Sequence, residues 1–433
     1  MKWFGSSGVR GIAFQEFTLD LAYRIGISIG SMHSDFVIGR DARLTGQLFS
    51  SAISAALMSA GADVCDVGVV TTPTLAYAAR KRECGVMVTA SHNPPEYNGM
   101  KLWNPDGSSF GTSQMESVES RMEKGVREAD WKSVGHLSSY PGAIEDHKNR
   151  ILSIIRGAEL SVVVDCANGP ASLITPKLLR EMGCKVFTIN GEINGLFPGR
   201  PAEPTEENLE SLKEQVRKKK ADIGIAHDGD ADRMVAVDDE GRYVGGDLLL
   251  KIFAKELGAK SMVAPVDATM LLDDWFGKRL YRTRVGDAFV SEKVKQRKAD
   301  FGGEPSGTWV FPKVSMCPDG IYAAAKLVEL CSEKRLSEIV DALPSLPMLK
   351  ETIRFDSSKR KAIQSRLGKS VSSIKAIDVD DTDGFRLSFK DGWGLIRLSG
   401  TEPIMRIVVE ARSSDRAKAI MSSMKEAARR SLS

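Results

Sequence analysis

The chain has 433 residues, of which 42% are hydrophobic and 27% charged, the ordinary composition of a globular protein. Its 60 basic and 57 acidic residues leave a net charge of only +3, which indicates neither a nucleic-acid-binding nor a membrane-binding surface. The six cysteines are scattered and form no C-x-x-C pair, which predicts reduced thiols in a cytoplasmic protein and no zinc site. No signal peptide opens the chain, and it has no long apolar stretch.

Two stretches of the chain repeat one order of strand, polar loop, helix, glycine and strand. The first covers 36–64, with its helix running to Met58, and the second covers 161–187, with its helix running to Met182. A fainter third copy begins at 261–265. Such alternation predicts mixed or parallel sheets covered by helices, and the wide spacing of the copies favours serial domains over a solenoid.

Between the first two copies, the short apolar run Val86-Met87-Val88 predicts a buried strand that ends in Thr-Ala-Ser-His-Asn-Pro-Pro. The prolines exclude a helix directly behind it, so Ser91 lies on a rigid loop at the carboxyl end of a strand, where α/β folds bind ligands. Lys101 follows ten residues later and brings an amine to the same region. The G-x-S-x-G motif of serine hydrolases is missing, and simple turn chemistry remains an alternative for Ser91.

A second strand, 223–227, ends in three aspartates spaced two residues apart, Asp228, Asp230 and Asp232. Three carboxylates at this spacing suit a hard cation such as Mg²⁺ or Ca²⁺. A solvated acidic turn is the alternative. An EF-hand is disfavoured because its sixth position, which requires glycine, is Arg233 here.

The loop Gly302–Thr308 combines flexible glycines with Glu304 and Ser306, a carboxylate and a hydroxyl that suit a polyol. By itself this signal is weak, because Gly, Pro and Ser are common in plain loops.

The last part of the chain changes character. Its apolar residues alternate, which predicts antiparallel strands near 376–379, 384–389, 393–398 and 405–410, followed by a helix from Asp415. This predicts a separate small α+β domain.

Within that domain, arginines flank a Ser-Gly-Thr turn. The turn presents backbone N–H groups and hydroxyls suited to a phosphate; the residues concerned are Arg397, Ser399, Gly400, Thr401 and Arg406. A hairpin with exposed arginines is the alternative. Arg10, in a basic loop near the N-terminus, offers one more contact to an anion.

Together, the four loops resemble those of the α-D-phosphohexomutase family and occur in its order. The similar segments are Ser91–Pro94 (phosphoserine loop), Asp228–Arg233 (metal loop), Gly303–Gly307 (sugar loop) and Arg397–Arg406 (phosphate loop). The resemblance covers nearly the whole chain and implies three similar mixed-sheet α/β domains and a smaller C-terminal α+β domain around a central cleft. We place these domains at 1–150, 151–245, 246–347 and 348–433.

The resemblance also implies an intramolecular phosphotransferase that interconverts hexose 1-phosphate and 6-phosphate. A phosphorylated Ser91 gives its phosphoryl group to a sugar monophosphate, and the hexose bisphosphate turns end for end before Ser91 regains a phosphate. Mg²⁺ is the implied cofactor, held by Ser91, Asp228, Asp230 and Asp232. The implied catalytic residues are Ser91, Lys101, Arg233, Arg10 and His92. Lys101 would act as a base, which requires a lowered pKa.

The implied substrate-binding residues are Glu304, Ser306, Thr308, Arg284, Asp287, Arg397, Ser399, Gly400, Thr401 and Arg406. Arg284-Val285-Gly286-Asp287 resembles the phosphoglucosamine mutase branch, and Glu-Pro-Ser-Gly in the sugar loop resembles archaeal-type members. Thr308, Leu398 and Ile404 depart from the residues common in the family. We therefore expect glucosamine phosphate as the substrate, with mannose or glucose phosphate as the alternative. A metal-dependent sugar phosphatase and a sugar-phosphate-binding protein without activity are further alternatives. The sequence leaves homo-oligomerisation open.

Overall fold

The chain forms two compact units. The structure, a computed structural model, describes residues 3–5, 8–399 and 403–432. The N-terminal unit contains Met1–Ala259 and Gly286–Ala342, and the C-terminal unit contains Lys260–Val285 and Leu343–Ser433.

The N-terminal unit begins with a six-stranded mixed sheet in the order β1-β5-β4-β2-β3-β6. Its elements are β1 Val9–Ile12, α1 Leu19–Gly30, β2 Asp35–Arg40, α2 Gly46–Ser59, β3 Asp63–Val69, α3 Thr72–Ala78, β4 Cys84–Val88, β5 Tyr97–Trp103, α4 Thr112–Lys124, β6 Leu137–Ser139 and α5 Ala143–Leu152. Strand β2 runs parallel to β3 and β4, whereas β5 is antiparallel to β4 and β1. Apolar residues such as Phe36, Phe49 and Val86 fill the core between this sheet and its helices.

A second mixed sheet of the same unit has the order β11-β10-β9-β7-β8. Its elements are β7 Ser161–Asp165, α6 Thr175–Glu181, β8 Lys185–Ile189, α7 Glu210–Lys219, β9 Ile223–His227, β10 Met234–Val237, β11 Tyr243–Val244 and α8 Gly246–Glu256. Strand β7 pairs in parallel with β8 and β9, and β9 pairs antiparallel with β10. The β9–β10 turn carries the three aspartates.

The following segment is divided between the two units. Its elements are β12 Met262–Pro265, α9 Leu271–Phe276, β13 Leu280–Thr283, α10 Asp287–Arg297, β14 Phe301–Glu304, β15 Thr308–Val310, α11 Gly320–Cys331 and α12 Leu336–Asp341. Within the C-terminal unit β12 and β13 form a parallel pair, and within the N-terminal unit β14 and β15 form a hairpin.

The rest of the C-terminal unit is an antiparallel sheet in the order β16-β20-β19-β18-β17. Its elements are β16 Met348–Arg354, α13 Arg360–Val371, β17 Asp378–Asp380, β18 Phe385–Phe389, β19 Gly392–Leu398, β20 Ile404–Ala411 and α14 Ser414–Leu432. Residues of α13 and α14, including Leu367 and Met424, share a core with Ile396 and Ile407 of the sheet.

The predicted strand at Val86–Val88, the acidic turn after 223–227 and the antiparallel C-terminal strands are confirmed. The second repeat predicts a helix directly after a loop at 166–170. This start is wrong, because Pro170–Leu173 forms a 3₁₀ turn and α6 begins only at Thr175. No helix in the described part of the chain has the length and apolar character needed to cross a membrane.

Candidate active site

Ser91 lies on a tight loop three residues after β4. It is 1% exposed, and its φ of 51° is in the left-handed region that residues other than glycine rarely adopt. Its backbone N–H donates to the Thr89 hydroxyl over 2.8 Å. A non-glycine residue in this conformation persists only where its surroundings fix it, and this occurs mainly at functional sites.

A buried arginine holds this loop in place. Arg43 Nε donates to Asp41 over 3.1 Å, while Nη1 and Nη2 donate to the carbonyl oxygens of Pro94, Tyr97, Ser91 and Asn93 over 2.6–2.8 Å. All five N–H groups of the guanidinium are therefore used. In the sequence, residues 40–43 form part of the polar loop of the first repeat, and a lone Asp-x-Arg carries no signal that identifies this role.

The aspartate loop meets the Ser91 loop within the N-terminal unit. The Ser91 hydroxyl donates to Asp228 Oδ2 over 2.8 Å. At Gly229 a β-carbon would lie 2.5 Å from the Ser91 carbonyl oxygen, so only glycine permits this approach of the two backbones. Ala231, with φ of 61°, turns the chain between Asp230 and Asp232. The predicted convergence of Ser91 and the three aspartates is therefore observed.

The three aspartates fit a hard cation. All are buried, and one carboxylate oxygen of each lies within 4.8 Å of the others. Among the described residues, Oδ1 of Asp230 and Oδ1 of Asp232 are buried without a hydrogen-bond partner. Buried carboxylate oxygens without a partner are costly, and a metal ion satisfies them. This cluster can therefore bind a metal.

Lys101 lies on β5 and contacts two of the same aspartates. Its Nζ donates to Asp232 Oδ2 over 2.5 Å and to Asp230 Oδ2 over 3.1 Å, and its side chain is almost completely buried. Burial disfavours the ammonium, but the two carboxylates prevail and raise the pKa of Lys101. The lowered pKa expected from the sequence is therefore wrong, because the two carboxylates outweigh both burial and the positive charge of Arg10.

Three cations surround His92. The charge of Arg233, burial, and the charges of Arg10 and Lys101 lower the pKa of His92 to about 2. The imidazole is therefore neutral at neutral pH, and its Nδ1 lies 3.4 Å from Ser91 Oγ. The side chain of Arg10 also reaches this loop, donating from Nη1 to Asn93 Oδ1 over 3.4 Å.

The sugar-loop residues belong to the same unit. Glu304, at the end of β14, accepts from the Gly286 N–H over 2.6 Å and from the Ser306 hydroxyl over 3.3 Å. Ser306 and Thr308 lie within hydrogen-bond distance of each other, at 3.1 Å. Thr308 forms a β-bridge with Arg233, which connects the sugar loop to the aspartate loop. Asp287 is the first residue of α10. Burial and the charge of Asp230 raise the pKa of Asp232, and the negative charge of Asp287 adds to this effect.

The remaining predicted substrate residues belong to the C-terminal unit. Arg397 faces Arg406 across the β19–β20 pair and forms a 3.0 Å ion pair with Asp383. Arg284 Nε donates to the neighbouring carbonyl of Thr382 over 3.1 Å. The Ser399 N–H donates to the Ile404 carbonyl oxygen over 2.8 Å. Gly400 and Thr401 lie outside the described residues.

Four family models match the chain, each describing a domain of phosphoglucomutase/phosphomannomutase. Alpha/beta/alpha domains I, II and III match residues 1–128, 140–241 and 245–346, and the C-terminal domain matches 357–427. The chain belongs to the phosphoglucomutase/phosphomannomutase family. The expected fold class, three α/β domains and a C-terminal domain, is thereby confirmed.

Relatives in this family match this chain over almost their full length. A protein of Methanocella arvoryzae named "Probable phosphoglucosamine mutase" is 49% identical, covering 95% of this chain and 94% of its own. A phosphoglucosamine mutase of Methanococcus aeolicus is 38% identical, covering 97% of both chains. Among solved structures, a phosphoglucomutase/phosphomannomutase family protein of Burkholderia thailandensis is 27% identical with a TM-score of 0.89, covering 98% of this chain and 97% of its own. The chain is thus an enzyme of the phosphohexomutase class and acts on sugar phosphates.

The fully buried His227, which precedes the aspartate loop, makes the stability of the folded chain depend on pH. Burial lowers the pKa of His227 to about 4, from an ordinary value of 6.5. Below pH 6.5 the unfolded chain binds a proton that the folded chain excludes, so stability falls as the pH falls towards 4. We expect this histidine alone to cost about 2 kcal/mol between pH 7 and pH 5. Urea unfolding at both pH values measures this loss of stability. In His227→Asn the loss between pH 7 and pH 5 should be smaller than in the native chain by about 2 kcal/mol. An equal loss in both chains would contradict the prediction.

Proposed function

We propose that the chain interconverts the 1-phosphate and 6-phosphate of a hexose through a phosphoserine at Ser91 and a bound hexose bisphosphate, with glucosamine phosphate as its substrate. The observation that carries this proposal is the 2.8 Å hydrogen bond from the Ser91 hydroxyl to Asp228, which joins residues 137 positions apart. A hydroxyl on a fixed backbone beside a carboxylate cluster suits phosphoryl transfer, because this reaction depends mainly on positioning and charge stabilisation.

The cofactor we propose is Mg²⁺, held by Asp228, Asp230, Asp232 and an oxygen of phosphorylated Ser91. When bound, it would neutralise charge on the transferring phosphoryl group. The choice of Mg²⁺ rests on the exclusively oxygen ligands that the cluster offers.

The transfer moves one proton as well as one phosphoryl group. As the sugar hydroxyl oxygen bonds to phosphorus, the bond from phosphorus to Ser91 Oγ breaks. Lys101, which its carboxylate neighbours keep as an ammonium, gives a proton to the departing Ser91 oxygen and regains one from the sugar hydroxyl. The second transfer, from the other end of the bisphosphate to Ser91, reverses these movements. Neutral His92 is a weaker candidate for this role because its pKa is too low.

Substrate binding is assigned to two groups of residues. Glu304, Ser306 and Thr308 would hold ring hydroxyls, and Arg10 and Arg233 would neutralise the transferring phosphoryl group. The phosphate that does not react would contact the C-terminal set, Arg284, Arg397, Ser399, Gly400, Thr401 and Arg406, and Asp287 would contribute to sugar choice. Glucosamine phosphate is favoured because curated relatives that share most of the chain are named phosphoglucosamine mutases.

We also propose the four domain boundaries given above and a cytoplasmic location, which the six free, buried cysteines support.

The test measures the two sugar phosphate isomers and inorganic phosphate in the same reaction over time. We expect glucosamine 1-phosphate and 6-phosphate to interconvert without release of inorganic phosphate, and faster than the glucose and mannose phosphates. A chelator should stop the reaction and Mg²⁺ restore it. Stoichiometric phosphate release would instead favour the sugar phosphatase, full turnover in chelator would contradict the metal assignment, and a faster mannose or glucose reaction would correct the sugar.

A further inference from the structure

In the carboxylates of Asp230 and Asp232, one oxygen is hydrogen-bonded within the protein and, among the described residues, the other is not. Oδ2 of Asp230 accepts from the Thr72 hydroxyl over 2.5 Å and from Lys101 over 3.1 Å, and Oδ2 of Asp232 accepts from Lys101 over 2.5 Å. Oδ1 of each is buried and, within the described chain, makes no hydrogen bond. The protein therefore fixes one oxygen of each carboxylate and leaves the other for a cation.

Thr72 makes two hydrogen bonds to Asp230, one to its carboxylate and one to its backbone. It is the first residue of α3 and is completely buried. Besides its hydroxyl contact, its backbone N–H donates to the Asp230 carbonyl oxygen over 2.9 Å. Removal of the hydroxyl alone would leave the backbone bond in place. An experiment can therefore change the orientation of the Asp230 carboxylate without changing the position of the aspartate loop.

The start of α3 is itself held rigidly. Thr71 caps the helix by accepting from the Thr74 N–H, and the Thr74 hydroxyl lies 3.0 Å from His147 Nδ1. On its other side, His147 Nε2 lies 3.0 Å from Asp319, which caps α11. The Thr72 hydroxyl is therefore presented from a fixed backbone, whereas Lys101 has a long side chain shared between two aspartates.

We infer that Thr72 is a positioning residue for the metal site: its hydroxyl holds Oδ2 of Asp230 so that Oδ1 faces the cation. This inference rests on the metal centre of the proposed function. Hydrogen bonds to ligating carboxylates orient the ligand before the metal arrives, and their loss commonly weakens metal binding about 10- to 100-fold.

The test is calorimetric titration of the metal-stripped full-length chain with Mg²⁺ alone. We expect Thr72→Val, which keeps the shape and the backbone bond, to weaken Mg²⁺ binding about 10- to 100-fold. Thr72→Ser keeps the hydroxyl and should bind nearly as tightly as the native chain. Thr74→Val is the matched control, because it removes a buried hydroxyl of the same helix that contacts Thr71 and His147 and not an aspartate. Its Mg²⁺ affinity should be native.

Each contrary result has a distinct meaning. A native Mg²⁺ affinity in Thr72→Val would overturn this inference alone. An equal loss in Thr74→Val would also overturn it, because the effect would then come from packing of α3. A native chain that binds no Mg²⁺ would overturn the proposed metal centre and this inference with it. Because the measurement does not use turnover, failure of the proposed mutase reaction remains distinguishable from all three.

Discussion

Replacing Ser91 with alanine is expected to reduce turnover on the order of 10⁴-fold or more, the scale seen when an enzyme loses its nucleophile. The substitution removes the oxygen to which the phosphoryl group would be attached. It also removes the 2.8 Å hydrogen bond to Asp228. Alanine tolerates a φ of 51° about as poorly as serine, so the loop is expected to keep its native conformation.

Two measurements check this prediction. Mutase assays give the rate, and intact-mass analysis should find one phosphate group on the native chain and none on Ser91→Ala. Ser117→Ala is a suitable control, because Ser117 is exposed on α4 and its hydroxyl donates only to the Ser113 carbonyl oxygen. Full activity or retained phosphate in Ser91→Ala would end the phosphoserine mechanism.

The parts of the site that sequence reasoning could predict are those in which strands end in unusual polar residues. Val86–Val88 and Ile223–His227 are buried, β-prone runs, and each carries its reactive residues directly behind it. Since the carboxyl ends of strands in α/β folds are where ligands bind, Ser91 and the aspartates were recognisable without coordinates.

The parts that could not be predicted depend on contacts between distant segments. Thr72 and Asp230 are 158 residues apart, and Arg43 reaches the carbonyl at Tyr97, 54 residues away. Neither Thr72 nor Arg43 stands in a sequence pattern that indicates chemistry. The predicted pKa shift of Lys101 was wrong for the same reason. The direction of the shift depends on which charges lie closest, and the sequence alone supplies no distances.

Arg43→Ala is expected to cost about 3–5 kcal/mol of stability, the usual effect of removing one partner of a buried ion pair. The side chains of Arg43 and Asp41 are both completely buried, so the substitution leaves the Asp41 carboxylate without its counter-charge. It also removes the Arg43 donor from four carbonyl oxygens, three in the Ser91 loop and one at Tyr97, the first residue of β5. Turnover should fall as well, because the loop that carries Ser91 loses what fixes its conformation.

Arg43→Lys separates charge from geometry. Lysine keeps a positive charge near Asp41, but its three N–H groups cannot replace five, so at least two of the five contacts are lost. Each acceptor that is left without any donor costs about 1–3 kcal/mol. We therefore expect a clear fall in melting temperature and in kcat even for this conservative change. The control is Arg40→Lys, because Arg40 lies on the same segment and pairs more loosely with Asp66, at 3.5 Å. Thermal unfolding and steady-state kinetics measure both effects. If Arg43→Lys matched the native chain in both, the Ser91 loop would be held by its own backbone conformation and not by the guanidinium.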